Sequence, residues 1–112
     1  MEKIYNKLVR DKIPEIITKD NRQAITHILN DQEYKVELEK KLYEEYKEVL
    51  ETTTSLDRIE ELADMLEIIR SLAKIENKTL EDVITVADDK NIKRGSFEKK
   101  IFLEKVIDDN EQ

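Results

Sequence analysis

The sequence predicts an all-α fold, a helical bundle built around an antiparallel helix hairpin. Its 112 residues contain one glycine and one proline, so few positions interrupt regular structure. Aliphatic side chains recur at spacings of three and four, the period of a helix with one buried face. The length suits one small domain, and we therefore expect a single domain over residues 1–112.

The composition excludes several functional classes. Twenty basic and 27 acidic residues give a net charge of −7, which argues against binding of a nucleic-acid polymer through a broad basic face. The absence of cysteine removes disulfides, thiolate metal sites and thiol nucleophiles. The first residues lack the apolar run of a signal peptide, and no stretch is apolar for the length of a membrane span. We expect a cytoplasmic protein with no membrane partner.

The first 30 residues form the least regular part of the chain. Asp11 is a candidate N-cap for a short helix with Pro14 in its first turn, where the missing N–H costs little. A stronger helix signal opens at Asn30, because Glu33 follows at the spacing of a capping box. This helix is expected to run to Glu51. Its buried stripe is Leu38, Leu42 and Val49, with Glu45 in the remaining position.

A third helix is predicted from about Leu56 to Glu76, after an N-cap at Thr54. It carries two adjacent apolar stripes that cover about half of its circumference, which predicts the buried centre of a bundle. One stripe consists of Met65, Ile68, Leu72 and Ile75. The other consists of Leu62, Leu66, Ile69 and Ala73.

A fourth helix is predicted after Thr79, with Arg94 in its last turn and Gly95 as its C-terminal stop. Its expected buried face is Leu80, Val83 and Ala87. The following residues from Phe97 to Ile107 contain enough apolar side chains to predict a packed segment, and residues 108–112 are expected to fray.

Two pairs of acidic residues recur at matching spacing. Residues three apart on a helix share a face, so Glu45 lies beside Glu48, and Glu61 beside Asp64. The rise of ~1.5 Å per residue places the first pair about 8 Å from Thr52 and the second about 11 Å from Ser55. In an antiparallel hairpin the two pairs therefore lie at nearly the same level.

Buried carboxylates at one level repel each other unless a cation offsets their charge. Oxygen ligands without Cys or His favour a hard divalent ion, so we expect Mg²⁺, with Mn²⁺ as a substitute. The alternative is that these acids lie on solvated helix faces, since such spacings also arise by chance in a glutamate-rich chain.

The residues Glu44-Glu45-Tyr46-Lys47-Glu48, followed after 12 residues by Glu61-Leu62-Ala63-Asp64, resemble the EExxE…ExxD signature of the MazG-like all-α nucleoside triphosphate pyrophosphatases. This superfamily includes dimeric dUTPases and phosphoribosyl-ATP pyrophosphohydrolases. Residues 5–14 and 93–97 resemble its small house-cleaning branch, often labelled phosphoribosyl-ATP pyrophosphohydrolase-like. The resemblance extends over residues 5–103, and Ser96 departs from it where a second glycine is more usual.

The resemblance implies hydrolysis of a nucleotide between its α and β phosphates, releasing a monophosphate and pyrophosphate. It implies that Mg²⁺ is held by Glu45, Glu48, Glu61 and Asp64. The catalytic set would be Glu44, Glu45 and Glu48. Glu44 points ~100° away from Glu45, so it either supports the ligands, helps to activate water or is solvated.

Basic side chains near these acids are candidate substrate ligands for phosphate. They are Lys7, Arg10, Lys41, Lys90 and Arg94. The alternatives are an i, i+4 surface pair for Lys41, favourable charges in a last helical turn for Lys90 and Arg94, and a solvated helix start for Lys7 and Arg10.

The small core that such a chain can bury and the resemblance together predict a homodimer or homotetramer. The resemblance to the house-cleaning branch implies hydrolysis of non-canonical nucleotides. Two alternatives use the same composition: a non-catalytic helical module whose acidic face binds a basic partner, and a nucleotide sensor that keeps the metal site but has little turnover.

Overall fold

The computed structural model describes residues 1–108, and its regular elements in that range are all α-helices. They are α1 (Ile13–Lys19), α2 (Asp31–Glu51), α3 (Ser55–Ile75) and α4 (Leu80–Arg94). The prediction of an all-α fold is thereby confirmed for the described part. Of the tail that was expected to fray, residues 109–112 lie outside the described residues. No helix within residues 1–108 has the length and apolar character needed to cross a bilayer.

The starts of the two long helices are determined by local capping. Asn30 Oδ1 accepts a hydrogen bond from the backbone N–H of Glu33 at 2.9 Å, and Glu33 Oε1 accepts one from the N–H of Asn30 at 3.1 Å. Thr54 Oγ1 accepts a hydrogen bond from the N–H of Asp57 at 3.1 Å. Each bond satisfies a backbone donor that the first turn leaves free. Both predicted caps are confirmed, and the predicted ends of α3 lie within one residue of those observed.

The short helix α1 corrects the predicted cap at Asp11. Its N-cap is Lys12, which has a right-handed helical backbone and makes no capping hydrogen bond through its side chain. The N–H of Ile13 is already bonded to the carbonyl oxygen of Arg10 at 3.0 Å, so a backbone turn leads the chain into the helix. Side-chain capping requires an extended N-cap residue, which this turn excludes. Pro14 does occupy the first turn, as predicted.

Helices α2 and α3 form an antiparallel hairpin, because the three residues 52–54 join them and they pack against each other. Their buried apolar side chains are Leu38, Val49, Ile68 and Ala73, with Leu80 buried at the end of the same unit. The predicted second stripe of α3 is covered in its C-terminal half, where Ala73 is buried and Ile69 half-buried, whereas Leu62 and Leu66 are each 43% exposed. The expectation that both stripes of α3 are buried is therefore wrong at Leu62 and Leu66 and confirmed at Ala73.

The chain divides into two compact units, the first spanning Met1–Leu80 and the second starting at Glu81. In the second unit, Gly95 ends α4 with a φ of +80°, and its N–H donates to the carbonyl oxygen of Asn91 at 2.8 Å. Glycine adopts this backbone conformation without strain, which confirms the predicted stop.

Two predictions about the second half of the chain are wrong. Val83 and Ala87 are exposed, so of the expected face of α4 Leu80 alone is buried. The apolar segment after Gly95 is also exposed, with Phe97 at 97% and Phe102 at 88%. Residues 96–108 form no helix or strand that would align these side chains on one face, so apolar content alone does not pack them.

Candidate metal centre

The hairpin brings three carboxylates from two helices to one point. Oxygen atoms of Glu45 on α2 and of Glu61 and Asp64 on α3 all lie within 4.8 Å of one another. Glu61 and Asp64 share a face because they are three residues apart. The antiparallel register then sets Glu45 opposite them. Together the three side chains form the acidic site of this protein.

Two oxygen atoms of the acidic site are buried without a hydrogen-bond partner. Glu45 is 8% exposed and lies in the stripe between Leu38 and Val49. Glu45 Oε2 and Glu61 Oε2 have no hydrogen-bond partner. A buried carboxylate oxygen without a partner is costly, and a cation between these atoms would satisfy both. Carboxylates without Cys or His fit a hard divalent ion such as Mg²⁺ or Mn²⁺.

The surroundings of Glu45 favour its protonated form when no metal is present. Burial, followed by the hydrogen bond and the negative charge of Glu48, and then by the charge of Asp64, raises the pKa of Glu45 to about 7. Lys41 acts in the opposite direction, which places its ammonium group close enough to influence this carboxyl group. Without a metal, a proton thus neutralises the carboxylate of Glu45, and a bound cation would offset the same negative charge.

Glu61 is affected in the same direction. A hydrogen bond with Glu48 is the largest cause that raises the pKa of Glu61, and burial and the charges of Glu48 and Asp64 add to it. A hydrogen bond with Glu45 acts in the opposite direction. Glu48 itself is exposed and is not one of the three clustered carboxylates. It influences both Glu45 and Glu61, and the predicted four carboxylates form one interacting group.

The irregular N-terminal segment reaches both helices of the hairpin. Arg10 Nη2 donates to Asp64 Oδ1 at 2.8 Å, and Lys7 Nζ lies 3.6 Å from Glu44 Oε2. These two contacts bring two of the predicted basic residues to two of the predicted acids. Residues 7–10 therefore lie across the hairpin beside the acidic site.

A groove with a volume of about 320 Å³ runs along the hairpin from the acidic site. Its lining combines predicted site residues with others that sequence reasoning missed. The predicted ones are Arg10, Lys41, Glu45 and Asp64. The missed ones include Tyr34, Ser71 and Lys74. Helical spacing carries a signal for them, because Tyr34 continues the line of Leu38, Lys41 and Glu45, and Ser71 and Lys74 continue that of Asp64, Glu67 and Ile68.

A smaller groove of about 150 Å³ lies between the N-terminal segment and α2. It is lined by Lys7, Lys40, Lys41 and Glu44 among others. Lys41 lines both grooves, whereas Glu44 lines this one and not the groove that holds Glu45. The difference follows from the ~100° between consecutive residues of a helix.

Lys90 and Arg94 are exposed on α4, in the unit that starts at Glu81. Their assignment to substrate stays a prediction. Comparison of the chain with protein-family models, with curated proteins and with solved structures finds no match.

Proposed function

We propose that this protein is a Mg²⁺-dependent nucleoside triphosphate pyrophosphohydrolase that releases a nucleoside monophosphate and pyrophosphate. The observation that carries the proposal is the pair of buried, unpartnered oxygen atoms of Glu45 and Glu61 beside Asp64. An acidic surface that served a basic partner would direct its carboxylates to solvent, and it gives no reason for a glutamate in the core. The resemblance of the EExxE…ExxD residues to MazG-like enzymes supplies the reaction class.

In this proposal Glu45, Glu48, Glu61 and Asp64 hold the metal. Bound Mg²⁺ would neutralise phosphate oxygens and make a nearby water more acidic. The water oxygen attacks the α phosphorus while the bond from that phosphorus to the α–β bridging oxygen breaks, and pyrophosphate leaves. Such a displacement depends on positioning and charge stabilisation. Glu48 is exposed beside Glu45, where the carboxylate oxygen that does not bind the metal can accept the proton that the water loses.

The basic residues then serve the phosphate groups. Lys41 lines both grooves and interacts electrostatically with Glu45, so its ammonium group is placed for a phosphate near the acidic site. Arg10 lines the same groove and offers a planar guanidinium for bidentate contact. Glu44 orients Lys7 through their ion pair. Lys90 and Arg94 are proposed as further phosphate ligands.

The direct test is release of pyrophosphate from a panel of canonical, deoxy and damaged nucleoside triphosphates, assayed with and without Mg²⁺. We expect turnover of at least one member of the panel that needs Mg²⁺, with Mn²⁺ as a substitute. Saturable metal and nucleotide binding without product would instead assign a nucleotide sensor. Absence of any metal binding that depends on Glu61 would assign the non-catalytic acidic module.

We propose that the protein is a MazG-like helical bundle completed by a second copy, as a homodimer or homotetramer in the cytoplasm. The exposed apolar residues of α3 support this assembly. They include Leu56, Ile59, Leu62 and Leu66. A strip of this kind on a small domain is typical of an interface with another chain.

Sedimentation equilibrium is expected to give a mass of at least twice 13.3 kDa. Replacement of Leu62 and Leu66 by Asp is expected to shift the distribution toward the monomer, because burial of these side chains would no longer favour association. Lys78→Asp, on the exposed turn after α3, is a control with the same introduced residue and should leave the mass unchanged. A wild-type monomer at all concentrations would contradict the assembly.

A further inference from the structure

Arg10 forms an ion pair with one carboxylate of the acidic site. Its Nη2 atom donates to Asp64 Oδ1 at 2.8 Å. Among the described residues, Asp64 is the one member of the acidic site that forms an ion pair, and Glu45 and Glu61 form none. The guanidinium therefore contributes positive charge at the edge of the same group of oxygens that a divalent ion would occupy.

A divalent ion and Arg10 cannot both use Asp64 without cost. The two cations would lie a few ångströms apart, and the carboxylate charge that holds one is then shared with the other. The competition is modest, because the side chains of Arg10 and Asp64 are 55% and 43% exposed and water screens their attraction. Binding of the metal thus favours the departure of the guanidinium from Asp64.

A phosphate bound in the groove would be a second partner for Arg10. Arg10 lines it together with Lys41 and precedes α1, so its side chain can turn without disturbing a helix. A phosphate in this groove would accept two parallel hydrogen bonds from the guanidinium, which a single carboxylate oxygen does not. A phosphate in the groove and a metal ion at the acidic site therefore both favour movement of the Arg10 guanidinium away from Asp64.

We propose that Arg10 is an intramolecular competitor for the metal at Asp64 and that a substrate phosphate relieves the competition by taking its guanidinium. This inference rests on the proposed function for its metal and its phosphate ligand. Its consequence is positive coupling, in which nucleotide increases the affinity for the metal. By thermodynamic reciprocity, the metal increases the affinity for the nucleotide through Arg10 by the same factor.

The first test is titration of the protein with Mn²⁺ by electron paramagnetic resonance, without nucleotide. Arg10→Gln is expected to bind Mn²⁺ about two- to fivefold more tightly than the wild type, as loss of a half-exposed ion pair allows. Lys12→Gln removes the same charge two residues away at a position that does not line the groove, and should leave the affinity unchanged. Equal affinity of Arg10→Gln and the wild type would overturn the inference.

The second test measures the dissociation constant of an α,β-methylene deoxynucleoside triphosphate with and without saturating Mn²⁺. The quotient of the dissociation constant without Mn²⁺ over that with Mn²⁺ is expected to be about two- to fivefold smaller in Arg10→Gln than in the wild type, because the competition that nucleotide relieves is then absent. An unchanged ratio would overturn the inference. Two different results would contradict the proposed function itself: Mn²⁺ binding that is unchanged in Glu45→Gln, or a wild-type protein that binds no Mn²⁺.

Discussion

Glu45→Gln is expected to lower Mg²⁺-dependent pyrophosphate release by about 100- to 1000-fold, the effect of removing several kcal/mol of charge stabilisation from the transition state. The amide preserves the shape of the side chain but lacks the negative charge that a divalent ion requires. The same loss is expected for Asp64→Asn. The rate of pyrophosphate release at saturating nucleotide, measured over a range of Mg²⁺ concentrations, is the appropriate readout.

The matched control for this experiment is Glu60→Gln. Glu60 is exposed, adjacent in sequence to a proposed ligand and not part of the clustered carboxylates. We expect it to retain wild-type turnover within about twofold, since exposed substitutions away from a site change little. Full activity of Glu45→Gln would contradict the assignment of the acidic site. Equal losses in Glu45→Gln and Glu60→Gln would also contradict it, because a general effect of charge would then suffice.

The stability of the metal-free protein is expected to fall as the pH rises from about 5 to about 8, by roughly 1–3 kcal/mol. The pKa of Glu45 is raised from 4.5 to about 7 in the folded protein, and that of Glu61 is raised in the same direction. The folded chain thus binds more protons than the unfolded chain between these values. This contribution is fully present below pH 4.5 and is lost as the pH rises through about 7.

Saturating Mg²⁺ should reduce or reverse this fall, because the ion binds the deprotonated carboxylates that are otherwise destabilising. Urea unfolding at several pH values, with Mg²⁺ or with a chelator, measures both effects. In the metal-free protein, Glu45→Gln is expected to be more stable than the wild type at about pH 8 and to show a flatter profile, since a buried charge is absent. A profile of the wild type that does not differ from that of Glu45→Gln would contradict the burial argument.

The starts of α2 and α3 and the end of α4 could be predicted because their causes are local. Asn30 bonds to Glu33, Thr54 bonds to Asp57, and Gly95, in the left-handed backbone conformation, donates to the carbonyl oxygen of Asn91 four residues earlier. The common level of the acids followed from the constant rise of a helix and a short connection. Apolar periodicity also identified Leu38, Val49 and Ile68 as core residues.

The predictions that were wrong depended on backbone geometry or on packing partners that a local pattern does not specify. Asp11 was a chemically suitable cap, but the backbone turn at Lys12 removed the geometry that capping needs. Phe97 and Phe102 are apolar enough for a core, yet hydrophobicity does not specify the neighbour that would cover them. Leu62 and Leu66 do lie on one face of α3, but the spacing of apolar residues in a helix does not determine how many other helices pack against it.

By itself, the sequence determined that the chain is all-α and where its long helices start. It also determined that a glutamate occupies the apolar stripe of α2. Each depends on residues within about one helical turn of one another. Tertiary structure alone decided that Glu45, Glu61 and Asp64 cluster while Glu48 lies beside them, and that Arg10 bonds to a carboxylate 54 residues away. The physical reason is that helix rotation within the hairpin and the path of an irregular segment follow from long-range packing, which no local spacing records.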